Sequence, residues 1–199
     1  MKPIDPISTD GRRRRSKQSR ERIVQALLAL VREGRANPGA EEVAERAGVG
    51  IRSVFRHFRD METLYREMGV HLAGQYAEIA TPFTASTWRG RLGEMIDRRS
   101  RAYERLAPFK RAADARRLES PTLQEDSARL EAVLRERLRA VLPAAASADR
   151  SLFAQLELAL SVDAWMRLRD VQGLSPDEAR AAVEAMTEAL LARFPDGPA

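Results

Sequence analysis

Bond-making chemistry has little to work with in this chain. It has no cysteine, which excludes disulfides, a thiolate zinc site, an iron–sulfur cluster and a thiol nucleophile. Two histidines, His57 and His71, are too few for a histidine-rich metal centre. No Gly-rich phosphate loop, no His-Glu-x-x-His and no Gly-x-Ser-x-Gly occurs. The expectation is a protein that is not an enzyme, with no metal and no cofactor. What the side chains can do is hold charge. Arg12-Arg13-Arg14-Arg15 and Lys17 form a dense basic run. Residues 1–60 carry 14 Lys/Arg against 8 Asp/Glu, whereas residues 61–199 carry 20 against 21. All of the excess behind the net charge of +5 therefore sits in the first third. A basic excess at one end suits a nucleic-acid or acidic-membrane partner there. For the arginine run alone, a solvated tail is the plain alternative.

The elements that must position these charges are helical. Apolar residues Ile23, Val24, Leu27, Leu28, Leu30 and Val31 recur at helical spacing between Lys17 and Glu33. Gly34 ends that helix and Asn37-Pro38-Gly39 is a turn. Short helices are expected at Ala40–Ala47 and Ile51–His57, and Asp60 can cap another that runs toward Ala80. Further helices are expected over Thr87–Leu106, from Pro108 to about Leu118, and from Pro121 to about Leu142 behind a Ser120 cap. Ser147 or Asp149 can cap one reaching Asp170, closed by Gly173. The last opens with the capping box Ser175-Pro176-Asp177-Glu178 and ends near Phe194. Alternating β-branched strands are missing. The fold class is all-α with about nine helices. Residues 1–16, with two prolines and no apolar face, read as a flexible basic arm. No stretch approaches the ~20 apolar residues of a membrane span, and Met1–Gly11 lacks the apolar core of a signal peptide. A cytoplasmic protein with no membrane partner is expected.

Residues Glu41 to Phe58 hold the informative spacing. Two short helices crossing steeply need a small residue at the crossing, which Ala44 supplies. The turn needs a residue that tolerates positive φ, and Gly48 follows four positions on. Val54, six further, faces back. Val43, Ala47, Val49 and Phe58 complete a small core with Ile23, Leu27, Leu30 and Leu64. This is a helix-turn-helix pattern.

From about Arg20 to Tyr65 the chain resembles the N-terminal domain of the TetR family of bacterial transcriptional regulators. The residues carrying the likeness are Val43-Ala44-Glu45-Arg46-Ala47-Gly48-Val49-Gly50, then Val54-Phe55-Arg56-His57-Phe58, then Met61-Glu62-Thr63-Leu64. Three positions depart from the pattern. Gly50 stands where a serine usually caps the recognition helix, Phe55 where tyrosine is frequent, and Met61 where a lysine usually meets phosphate. Arg59 can replace that last charge.

The resemblance implies domains at 17–66, a helix-turn-helix DNA-binding domain, and at 67–199, a helical ligand-binding and dimerisation domain. The recognition helix would enter the major groove of a palindromic double-stranded operator. Arg52, with a fork that suits guanine O6 and N7, is the candidate for base readout. Ser53 lies beside it and Gly50 precedes it. Phe55, Arg56, His57 and Arg59 are candidates for base, sugar or phosphate contact. Arg12, Arg13, Arg14, Arg15 and Lys17 would follow the backbone or enter the minor groove. A homodimer would form through the last two helices, with Leu152, Phe153, Leu156 and Leu160 on one and Val183, Met186, Leu190 and Phe194 on the other. The middle helices would enclose a pocket for an unknown small-molecule effector. Its candidate lining is Trp88, Met95, Tyr103 and Phe109, then Leu130, Leu134, Trp165 and Met166. The expected function is a repressor released by its inducer. The alternative is an architectural or nucleoid-associated DNA-binding protein of the same fold, without a small ligand.

Overall fold

The computed structural model describes residues 7–74, 77–117 and 120–197. Among them the chain is all-α: α1 Ile7–Arg32, α2 Ala40–Ala47, α3 Ile51–His57, α4 Met61–Ala73, α5 Ala77–Ala80 and α6 Trp88–Arg117. There follow α7 Pro121–Val141, α8 Ala144–Ala148, α9 Arg150–Ala159, α10 Val162–Met166, a π-helical turn Arg167–Val171, and α11 Pro176–Leu191. The caps read from the sequence form. Asp149 Oδ1 accepts from the amides of Ser151 and Leu152. Ser175 and Glu178 exchange both bonds of the capping box.

Three boundaries differ from expectation. Helix α1 begins at Ile7, not Lys17, so the described part of the expected flexible arm is helical; residues 1–6 lie outside the described residues. No proline falls between Pro6 and Pro38, and arginine is a good helix former, so propensity extends the helix without a buried face. The helices expected on either side of Pro108 are one helix, α6. Proline costs one backbone bond there, but buried Tyr103, Leu106 and Ala107 precede it and buried Phe109 and Ala112 follow, so packing carries the helix through. Conversely, the helix expected to run unbroken from Asp149 to Asp170 is split at Ser161. That side chain accepts from Ala164 N at 3.0 Å and donates to Leu158 O at 2.8 Å, which ends α9 and caps α10.

Two compact units divide the chain. One takes the chain up to Leu72 together with Pro108–Gln124; the other takes Ala73–Ala107 and the chain from Glu125 on. The expected division at residue 66 thus leaves out a segment that packs with the first unit. There Arg116 lies 4.6 Å over the Tyr65 ring and Ser120 Oγ donates to Glu62 Oε1 at 2.8 Å. The first core buries Ile23, Leu27, Leu30, Val43, Ala47, Val54, Phe58 and Leu64, while Val49 is half-buried. The second gathers Trp88, Leu92, Met95, Ile96, Leu138 and Leu156 with the inner face of α11.

Candidate nucleic-acid interface and pocket

The turn between α2 and α3 is built as its glycine requires. Gly48 takes φ +63° and ψ +40°, where a side chain is disfavoured. Its amide donates to Glu45 O at 3.0 Å and that of Val49 to Ala44 O at 3.0 Å, which closes α2. Gly39 N donates to Glu42 Oε2 at 3.0 Å at the other end of α2. Helix α3 then starts from extended Gly50 with no side-chain cap, as the missing serine implies.

Val54 and Phe58 fix which face of α3 turns outward. Phe58 donates its amide to Val54 O at 2.8 Å and leaves the helix in extended conformation. The Arg20 guanidinium lies 4.7 Å over its ring and also donates to Glu67 Oε1 at 2.5 Å, tying α1 to α4 around the end of α3. Arg20 is a positioning residue that the sequence reading did not single out. Asp60 Oδ1 accepts from Thr63 N at 2.8 Å and Thr63 Oγ1 at 2.7 Å, capping α4. Those bonds, from the Thr63 hydroxyl first, hold the Asp60 carboxyl below its ordinary pKa.

The outer face of α3 has no acidic side chain. Arg52, Phe55 and Arg56 are exposed, Ser53 and His57 half-buried, and Arg59 just beyond is exposed. Arg52 makes no hydrogen bond or ion pair with any described residue. Arg56 Nη2 donates to Ser53 Oγ at 3.2 Å. Phe55 is 47% exposed, so an apolar ring faces water among cations rather than filling the core. Met61 is half-buried at the head of α4 and Arg59 stands 3.9 Å from Asp60. Arg12, Arg13, Arg14, Arg15 and Lys17 are exposed on the extension of α1. At 1.5 Å per residue, Arg12 lies about 16 Å along the helix from Ile23, the first fully buried residue of the core.

His57 Nε2 is buried with no hydrogen-bond partner. Burial first, then the charges of Arg56 and Arg20, push its pKa below the ordinary histidine value of 6.5. A histidine depressed on folding contributes stability that is complete above pH 6.5 and declines as the pH falls toward the folded value. Wild-type protein is therefore expected to lose stability between about pH 7.5 and 5.5 more steeply than His57→Asn. Equal slopes in urea titrations of the two proteins would remove His57 as the cause.

The second unit holds a pocket of about 330 Å³. Tyr103 and Leu134 of the expected lining belong to it, with Arg99, Leu138, Leu158, Val162 and others from α7, α9 and α10. Trp165 lines a smaller void of about 10 Å³ that shares Arg99 and Tyr103. The structure does not bring the rest to the pocket wall. Trp88 and Met95 are buried in the core, and Leu130 and Met166 are half-buried elsewhere. Phe109 is buried in the first unit, with Arg32 5.5 Å over its ring. Glu104 accepts from Trp165 Nε1 at 2.9 Å and Arg169 Nε at 2.7 Å. Arg99 escaped the sequence reading, yet its signal was present: it occupies a position in the apolar stripe Leu92–Ile96–Tyr103–Leu106 of α6.

The expected dimer residues divide. Leu152, Phe153, Leu156, Leu160 and Val183 are buried in the chain's own core, so their side chains have no surface left for a second copy. Leu190 and Phe194 pack partly against that core. Met186 is exposed, and so is Leu158 on α9, at 67%. Helical periodicity identifies an apolar stripe but not the side of it that a neighbouring helix already covers.

No curated protein matches the chain. Its fold is shared with the crystal structure of a transcriptional regulator from Rhodococcus sp. Rha1, at 21% identity and a TM-score of 0.68, over 87% of this chain and 96% of that one. Residues 23–68 match the family described as bacterial regulatory proteins, tetR family. That segment runs from the first core residue of α1 to buried Met68 of α4 and contains the whole of the α2–Gly48–α3 unit. Over this segment the chain is similar to the tetR family of bacterial regulatory proteins.

Proposed function

We propose that the protein is a sequence-specific transcriptional repressor that binds a palindromic operator as a homodimer and leaves it when a small effector occupies the second unit. The outer face of α3 carries this reading. It is free of acids, bears Arg52 and Arg56, and is held on a buried core by Val54 and Phe58. In the major groove, Arg52 at the N-terminal end of α3 reads a base edge. Arg56, His57, Arg59 and the basic extension of α1 meet phosphates. Phe55 supplies an apolar surface for a thymine methyl. A single module of this size gives limited affinity, and two half-sites about 34 Å apart require a dimer. The exposed faces of α9 and α11, with Leu158 and Met186, are the surface this reading assigns to it. An effector acts by binding the DNA-incompetent spacing of the two recognition helices better than the competent one.

The test is fluorescence anisotropy with DNA from beside the chain's own gene, against scrambled DNA, over a salt series. Selective binding that weakens steeply with salt is expected. Equal, weak binding to that DNA and to every other promoter fragment of the genome would overturn the reading.

A further inference from the structure

Arg99 is 4% exposed, in the middle of α6, among Ile96, Tyr103 and Leu160. It has no carboxylate within ion-pair distance among the described residues. Its Nη1 donates to Leu160 O at 3.2 Å and its Nη2 to Leu134 O at 2.8 Å. Its Nε is buried without an acceptor. Two carbonyl dipoles offset only part of the cost of removing a guanidinium from water. Buried arginines are ordinarily matched by a carboxylate or phosphate, which the guanidinium fork fits in two parallel bonds.

The surroundings deepen the mismatch. Arg98 and Arg137 flank the Phe83 ring at 5.0 and 5.1 Å, and Arg137 spends its donors on the carbonyls of Ala80 and Thr81. Burial, then Arg98 and Arg99, push the Arg137 pKa down. One carboxylate, Glu94, pairs with Arg98 at 2.6 Å. The pocket wall also has acids. Glu157 is paired with Arg135 at 2.6 Å, and Glu131 and Asp163 are exposed. Positive charge therefore sits at the buried end of the pocket and negative charge where solvent screens it. Between them the wall is apolar, with Leu134, Leu138, Leu158, Leu160 and Val162.

We propose that this pocket takes a small organic monoanion, an apolar body bearing one carboxylate, whose charge is met by Arg99. The proposal rests on the effector-pocket reading above and adds the chemistry of the ligand. A volume of about 330 Å³ is at the small end for ligand pockets. The ligand oxygens supply the guanidinium with the counter-charge the chain withholds, and the aliphatic wall covers the body. The mouth, with Glu131 and Asp163, rejects a second negative charge at the far end, so monocarboxylates are favoured over dicarboxylates.

The test uses matched acid and amide pairs of equal shape: benzoate and benzamide, 2-naphthoate and 2-naphthamide, octanoate and octanamide. Each is titrated by calorimetry at pH 7.5 into wild type, Arg99→Met and Leu134→Phe. In at least one pair the acid is expected to bind wild type at least tenfold tighter than the amide. Arg99→Met is expected to abolish that preference, and Leu134→Phe, which fills the pocket, to weaken both members. Equal acid and amide binding that Leu134→Phe blocks would overturn the anion and leave the effector pocket standing. Binding that Leu134→Phe does not touch, or no binding in any pair, would overturn the proposal. If Arg99→Met fails to fold by circular dichroism, the Leu134→Phe comparison still decides. Operator binding, followed separately by anisotropy, reports on the regulator reading independently of every probe.

Discussion

Replacing Phe58 by alanine is expected to cost about 3–5 kcal/mol, the range for deleting a fully buried aromatic ring. The ring is 1% exposed, closes the bottom of α3 and carries the Arg20 guanidinium on one face. Its loss opens a cavity under the recognition helix and strips Arg20 of its platform, leaving that guanidinium only its pair with Glu67. Against a typical domain stability of about 5–15 kcal/mol this is a large fraction. Operator affinity is expected to fall with it, because α3 loses the packing that sets its angle. Phe58→Leu retains most of the volume and is expected to cost much less. Thermal and urea unfolding by circular dichroism measure both. A Phe58→Ala loss no greater than that of Phe58→Leu would show that the ring does not anchor α3.

Arg52→Ala is expected to weaken specific binding by about 1–3 kcal/mol and to relax the choice of base at one position in each half-site. The fold should not notice. Arg52 is exposed, makes no hydrogen bond or ion pair with a described residue, and alanine is the better helix former. Stability and specificity are therefore separable here in a way they are not at Phe58. Anisotropy with the operator and with its single-base variants gives the affinity, and the unfolding midpoint serves as control. Full discrimination in the mutant would move base readout from Arg52 to Arg56 or to the α1 extension. A uniform loss on every sequence, with a shallower salt slope, would make Arg52 a phosphate contact.

The helix-turn-helix was legible because its constraints are local. Ala44, Gly48 and Val54 lie within eleven positions, and each is dictated by a crossing, a turn or a face that neighbours along the chain determine. The caps at Asp60, Asp149 and Ser175 are equally local, and all three form. Part of what failed depended on contacts far apart in sequence. Nothing near Pro108 announces that the residues after it pack with a domain that ends at Leu72. The split at Ser161 is a local competition for hydrogen bonds, overlooked because the apolar period continues through it. The buried set on α9 was visible as a stripe, but what covers it is α11 of the same chain. Arg99 shows the limit in the other direction. A charge in an apolar stripe is readable, but that it lacks a carboxylate partner depends on side chains from α7 and α9 that only the fold assembles.

The first unit is discontinuous: it ends at Leu72 and is completed only by Pro108–Gln124. During synthesis the helix-turn-helix leaves the ribosome before Arg116 and Ser120, which cover Tyr65 and bond Glu62. At about 5–20 residues per second, the residues from Ala73 to Gln124 take on the order of 3–10 s to add. For that interval the nascent helix-turn-helix lacks the Arg116 cover over Tyr65 and the Ser120 bond to Glu62. Translation therefore delivers the helix-turn-helix before the segment, after the first half of α6, that completes its unit.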